Sequence, residues 1–385
     1  MSPWRWPTLS GVLTLACAGL ALLLSRGYLA PGSAEASASA AQAPRSLTVL
    51  AGAGQDTVAV DAFFPQNVRI RAGDSVTWRI ESDQSHNVGF TRGATPPGPL
   101  LPDMFGAPGE VIPAVNIPVP GRPGFTMLNP VREFPNVESG ATYSGNAYIT
   151  SGRLAKGGQI YGVPVLDSFT LTFDTPGTYP YLCLLHAGSM VGTVEVAERS
   201  SSVPDQTEID AAAQAEMSLL LARVDEARAQ AANPRNQPGP NGTRTWFVRA
   251  GNTDQGVADR RVTILEFLPQ DLRITAGDTV VWSTSFILHD VTFNPSPPPP
   301  TWILAEERPD GPPWLIRNPV LVDPVTPAGV YDPAQHFSSG VLNPLAPRGI
   351  AWALTLETPG AFEYVCAVHH ELGMKGTITV LPRAP

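Results

Sequence analysis

Phe64-Pro65-Gln66-Asn67-Val68-Arg69-Ile70-Arg71-Ala72-Gly73-Asp74-Ser75-Val76-Thr77-Trp78 returns later in the chain as Leu268-Pro269-Gln270-Asp271-Leu272-Arg273-Ile274-Thr275-Ala276-Gly277-Asp278-Thr279-Val280-Val281-Trp282, almost position for position. In each copy two segments alternate apolar and polar residues, Val68 to Ile70 and Ser75 to Trp78 in the first. That is the two-residue period of half-buried strands, and the Ala-Gly-Asp between them marks a tight turn. A unit that recurs at this fidelity is the signature of a duplicated fold.

The correspondence extends outward from this stretch. Each tryptophan is followed within eight residues by a histidine, His86 or His289, that leads into a short apolar segment, Val88 to Phe90 or Val291 to Phe293. Asn129-Pro130 then matches Asn318-Pro319, Tyr143 matches Tyr331, and Ser151-Gly152 matches Ser339-Gly340. Phe169 to Phe173 and Ala351 to Leu356 alternate again before a Pro-Gly turn. Finally Thr175-Pro176-Gly177-Thr178-Tyr179-Pro180-Tyr181-Leu182-Cys183 matches Thr358-Pro359-Gly360-Ala361-Phe362-Glu363-Tyr364-Val365-Cys366. Several short strands with turn signals, twice over, predict an all-β protein of two tandem Greek-key β-sandwich domains. The 385 residues are enough for two cores, and 41 prolines with 35 glycines favour turns over long helices.

We therefore divide the chain into a signal peptide or membrane anchor with an Ala/Ser-rich linker (1–45), a first sandwich (46–199), a helical linker (200–243) and a second sandwich (244–382). The linker carries the one convincing helix, about Thr207 to Ala231. Asp205 and Glu208 make a capping pattern, and Ile209, Ala213, Met217, Leu220, Val224 and Ala227 recur at helical spacing. That apolar face either packs on the sandwiches or mediates self-association. Residues 234–243 read as a turn-rich connector, with Asn241-Gly242-Thr243 a weak glycosylation sequon. Two proline-rich stretches, ten prolines in 91–130 and eleven in 291–330, cannot be central strands. They lie over the sandwich surface, as a shielding lid or as a docking surface.

The N-terminus supplies the compartment. Arg5 precedes an apolar run from Leu9 to Leu24, followed by Ser25-Arg26 and a small-residue stretch, the pattern of an export signal. Two fates stay open, cleavage near triplets such as Ala36-Ser37-Ala38 and retention as a membrane anchor. Either way the bulk of the chain is expected outside the cytoplasm, periplasmic or extracellular. A net charge of -9 with no basic stripe excludes nucleic acid as a partner.

Cys17 sits within the apolar run as packing, leaving Cys183 and Cys366 for the mature chain. A disulfide between them is disfavoured, since each occupies the same place in a separate repeat. Each instead begins a cluster: Cys183, His186 and Met190, and Cys366, His369 and Met374. A thiolate, an imidazole and a thioether suit copper, and His86 and His289 come from equivalent positions to complete two four-donor sets. Two imidazoles and a thiolate in a trigonal plane with a weak axial methionine is the blue-copper arrangement. Taken singly, a buried cysteine or methionine is ordinary core; the joint, repeated pattern decides for metal.

With these residues in view, both copies resemble cupredoxins, the fold of plastocyanin, pseudoazurin, amicyanin and azurin. The resemblance runs from about Ser46 onward, excluding the signal and the helix. It implies the metal ligands His86, Cys183, His186 and Met190 in the first domain and His289, Cys366, His369 and Met374 in the second, two type 1 copper ions per chain. The second domain has the Cys-x2-His-x4-Met spacing of plastocyanin and pseudoazurin. The first has one residue fewer before Met190, a departure that weakens the assignment of that axial donor. Asn87 resembles the family residue that ties the histidine loop to the cysteine loop, whereas Asp290 stands there in the second domain, so unequal potentials are expected.

Relatives with oxidase or nitrite reductase activity carry further histidine-bound copper. Here only His336 and His370 remain beyond the eight donors, no His-x-His pair occurs, and Leu182 and Val365 precede the cysteines, so catalysis of that kind is not expected. His370 beside His369 is either solvated or part of a docking edge, and His336 aligns with Tyr148 and is no ligand. The expectation is an exported electron carrier that exchanges single electrons with redox partner proteins through exposed histidine edges. The competing class is an extracytoplasmic protein for copper sequestration or delivery.

Overall fold

The alternating segments of the repeat form strands Asn67–Arg71 and Ser75–Ile80, which turn from one sheet of a sandwich into the other. At the turn Gly73 adopts φ +96° and Gly277 +91°, and the following aspartate carboxylate closes it. Asp74 accepts from the backbone N–H groups of Arg71 and Arg45, and Asp278 from those of Thr275 and Arg244. Alternation then settles burial: Val76, Trp78 and Ile80 point inward while Arg79 is exposed. The Trp78 ring meets Phe90, Phe169 and Tyr181, and Trp282 meets Phe293, Trp352 and Tyr364. Aromatic contacts of this kind contribute beyond their buried area.

The computed structural model describes residues 43–91, 96–102, 111–186, 189–231, 233–251, 261–284, 288–294, 301–319, 327–342 and 349–383. The N-terminal apolar run and Cys17 lie outside them, and no described helix is long and apolar enough to cross a membrane. The first sandwich pairs a sheet ordered Ser168–Thr172, Ser75–Ile80, Ser46–Ala53, Val58–Phe64 with one ordered Ile149–Thr150, Gly89–Phe90, Gly177–Leu182, Val191–Ala197, Asn67–Arg71. The second repeats this, with Arg244–Ala250, Asp278–Ser283 and Ala351–Leu356 facing Asp271–Thr275, Lys375–Leu381, Gly360–Val365, Thr292–Phe293 and Phe337–Ser338. Two tandem cupredoxin-like sandwiches joined by one long helix are the architecture.

Residues 234–243 are a correction. They are not a loose connector, because Arg235–Pro238 folds back across Pro240–Gly242 and pairs with Arg244–Ala250 as an edge strand. The proline-rich stretches also do more than cover a surface. Asn116–Pro118 and Thr126–Leu128 from the first half join Ile303–Glu306 and Trp314–Arg317 from the second in one four-stranded sheet. Proline is tolerated there because the strands are short and at edges.

A second junction comes from strand Val262–Ile264, which adds antiparallel to Val58–Phe64 and becomes the fifth strand of the first sandwich's sheet. Its register sets Ala59 opposite Thr263. In the other shared sheet Met127 stands opposite Ile316. Both are pairs of positions that the internal repeat makes equivalent. The hydrogen bonds obey the same symmetry, with Asp61 N–H donating to Arg261 O and Leu265 N–H to Thr57 O, both at 2.7 Å. The halves thus associate around a local twofold axis, the isologous arrangement familiar from homodimers.

Helix Gln206–Ala231 covers the outer face of this junction. Asp205 and Glu208 cap it reciprocally, each backbone N–H reaching the other's carboxylate at 3.0 Å. Ala213, Leu220 and Val224 pack in one cluster with Val60, Ala62, Phe64, Val262 and Ile264, so the apolar face is taken up within the chain. Each large side chain buried there stabilises by about 1.5–3 kcal/mol.

Candidate metal centres

Each cysteine ends a strand and opens a short loop that its own backbone ties shut. Cys183 N–H donates to Met190 O and Met190 N–H to His186 O; Cys366 N–H donates to Met374 O and Met374 N–H to His369 O. The shorter first loop therefore closes in the same way as the longer one. Both methionines are fully buried in the core clusters that contain their cysteines. The distant histidines are fixed by short bridges, His86 with Leu154 and His289 with Leu342.

This brings three donors together twice. His86, Cys183 and His186 form one cluster and His289, Cys366 and His369 the other, the donor atoms of each lying within 4.8 Å of one another. In the first, Cys183 Sγ is 3.9 Å from His86 Nδ1 and 3.6 Å from His186 Nδ1, and the two nitrogens are 3.1 Å apart. In the second, Cys366 Sγ is 3.8 Å from His289 Nδ1 and 3.5 Å from His369 Nδ1. Both cysteines are free thiols, as separate centres require. Among the remaining histidines, His370 Nδ1 meets Ala367 O at 3.0 Å and His336 is exposed near Asn294 O, neither belonging to a cluster.

Two glycines missing from the sequence reading make room for the rings. Gly52, at φ +75°, sits at a bulge in strand Ser46–Ala53, and a Cβ there would stand 2.2 Å from His86 Nε2. Gly251, at φ +81°, does the same to His289 Nε2 at 2.3 Å. With Nε2 pressed against backbone, each ring presents Nδ1 to the sulfur. Burial holds His86 and His289 well below the usual histidine range, so both rings are neutral and free to donate a lone pair.

The surroundings differ in sign. Asn87 N–H donates to Cys183 Sγ at 3.4 Å while its side chain accepts from Leu184 N–H at 2.6 Å and donates to Arg132 O at 3.2 Å. Asp290 instead accepts from the Cys366 thiol at 3.3 Å and from Val368 N–H at 3.3 Å, with Thr292 Oγ1 on its other oxygen at 2.5 Å. Burial and the Asp290 carboxylate push the Cys366 thiol well above its ordinary range. Burial also opposes ionisation of Cys183, but the hydrogen bond and charge of His186 outweigh it and lower that thiol. His186 itself is raised to about 9: burial works against its charge, and the Asp61 carboxylate 3.9 Å away and Cys183 overcome it. His369 is depressed to about 3 by burial and by the charges of His186 and His370.

Asp61 is the second feature that sequence reading missed. It is buried on strand Val58–Phe64, with Oδ2 accepting from Thr263 Oγ1 at 3.0 Å; its counterpart in the second copy is Leu265. The expectation of exposed histidine edges is corrected here. His369 is only 7% exposed and the His186 side chain 19%: Asp61 stands beside His186, and Thr57 of the first half approaches Gly373 in the loop after His369. Two buried imidazole nitrogens and a sulfur converging on a point, with a methionine in the same core, fit a soft metal and leave no role for a hard one.

Residues 255–381 match the family model of copper binding proteins of the plastocyanin/azurin family. The second sandwich thus matches this copper-binding family, and the first repeats its strand order and its donor cluster. Copper is accordingly the metal for which its donor clusters are built. Among solved structures, the oxidised form of an amicyanin mutant is 17% identical, covering 40% of this chain and 82% of that one at a TM-score of 0.20. The reduced Cu(I) form of another amicyanin mutant at pH 4 is 18% identical over the same shares, at 0.21. At such scores the likeness carries no argument, and the copper reading rests on the family match over the second sandwich and on the donor geometry. No curated protein matches the chain.

Proposed function

We propose that this cupredoxin is an exported electron-transfer protein that holds two type 1 copper ions, one on His86, Cys183, His186 and Met190 and one on His289, Cys366, His369 and Met374, and exchanges single electrons with redox partner proteins. The observation that carries the reading is the presence, at equivalent places in two sandwiches, of a buried His-Cys-His cluster beside a buried methionine. Copper held this way alternates between two oxidation states in nearly one geometry. The chain's own part is to keep that geometry rigid and dry: the glycines fix the ring faces, the loop hydrogen bonds fix sulfur to methionine, and burial excludes water that would add ligands. Export is inferred from the apolar run at the N-terminus, with anchoring or cleavage as its two outcomes.

Absorption spectroscopy during reversible redox titration tests this reading. An intense visible thiolate-to-copper band that bleaches and returns without metal loss is expected. Ready surrender of the copper to a chelator or an apo-protein, without stable cycling, would favour sequestration or delivery instead.

A further inference from the structure

Strand Val58–Phe64, with Thr57 just before it, reaches both donor loops from one face. In a strand, residues two apart share a face, and residues opposite one another in an antiparallel pair share it too. Thr57, Ala59 and Asp61 therefore point the same way as Thr263 and Leu265. The other face, Val60, Ala62, Val262 and Ile264, is the one covered by the helix. On the inner face Asp61 Oδ1 lies 3.9 Å from His186 Nδ1, and Thr57 Cγ2 lies 3.5 Å from where a Cβ on Gly373 would stand, in the loop between His369 and Met374. Thr57 and Asp61 are four residues apart, about 13 Å at ~3.3 Å per residue. Thr263 Oγ1 donates to Asp61 Oδ2, joining the second half to the carboxylate beside the first centre's histidine. The twofold relation at Ala59 and Thr263 sets the two equivalent centres on either side of one local axis.

Resting on the two-copper reading above, we propose that the inner face of this junction is an internal route by which an electron passes between the two centres, so that an external partner needs to engage only one of them. The low exposure of His369, at 7%, and of the His186 side chain, at 19%, points the same way, since it leaves an outside protein little access to either imidazole edge. In the transfer, one electron leaves a cuprous ion at one centre and reduces a cupric ion at the other; no bond is formed or broken and no proton moves.

The test uses the full-length, copper-loaded protein. Pulsed dipolar EPR of the fully oxidised chain is expected to show coupling between two cupric ions at a separation on the order of the 13 Å offset along the strand. Photochemical injection of less than one electron per chain is expected to give a redistribution phase whose rate is unchanged by tenfold dilution and which is absent from Cys183→Ser and Cys366→Ser. A redistribution that slows tenfold on tenfold dilution, or a dipolar coupling too weak to resolve, overturns the internal route. Those failures are distinct from failure of the two-copper reading, which would show beforehand as a missing thiolate-to-copper band in one or both single-site variants.

Discussion

At the scale of single residues, the two centres share donors but differ in what faces the sulfur and the histidines. A carboxylate near the metal favours the higher charge of the cupric ion, so Asp290 lowers the potential of the second centre relative to an amide in its place. Asp290→Asn is expected to raise that potential by a shift on the order of 59 mV, a tenfold change for one electron, and Asn87→Asp to lower the first. Redox titration of each variant in a background lacking the other cysteine reads both shifts. A Cβ at Gly52 or Gly251 would collide with a histidine ring and also sit at positive φ. Gly52→Ala is expected to cost about 1–3 kcal/mol of stability and to weaken copper uptake at the first centre alone, with Gly251→Ala acting on the second; metal analysis with urea unfolding measures both.

The protons displaced by copper also differ. Binding at the first centre removes the proton of His186, raised to about 9, whereas at the second it removes that of the Cys366 thiol, held well above its usual range. Because a proton leaves on binding, affinity rises with pH, by about tenfold per unit while the group remains protonated in the apo-protein. The rise should flatten near pH 9 at the first centre and continue beyond it at the second. Competition titrations on Cys366→Ser and Cys183→Ser follow each centre separately.

At the scale of elements, the strands, the turn at Gly73, the capped helix and the two His-Cys-His groupings were legible, because each rests on local periodicity or on a repeated motif. Pairings between distant segments were not. Thr126–Leu128 and Trp314–Arg317 look like proline-rich loop, since a three- or four-residue strand gains its order from a partner far along the chain. Asp61 reads as one polar residue in an apolar run, and its relation to His186 depends on how the two halves meet. Gly52 and Gly251 carried a signal, as glycines at strand ends in both copies, but only the packed histidine rings explain them. The helix is the element whose loss should be felt across the junction: Leu220→Ala, in the cluster shared by both halves, is expected to destabilise by about 2–5 kcal/mol, measured by urea unfolding.

At the scale of the whole molecule, a duplicated sandwich folds onto its copy around a local twofold axis, sealing the junction with two shared sheets and a helix. That packing brings Thr57 of the first half against the loop between His369 and Met374 of the second. The claim on which all of this depends is that the two clusters are two independent copper centres. Copper counted per chain in the purified wild type, Cys183→Ser and Cys366→Ser tests it most directly. The account predicts two, one and one; a wild-type chain that takes up a single copper, or none, would contradict it.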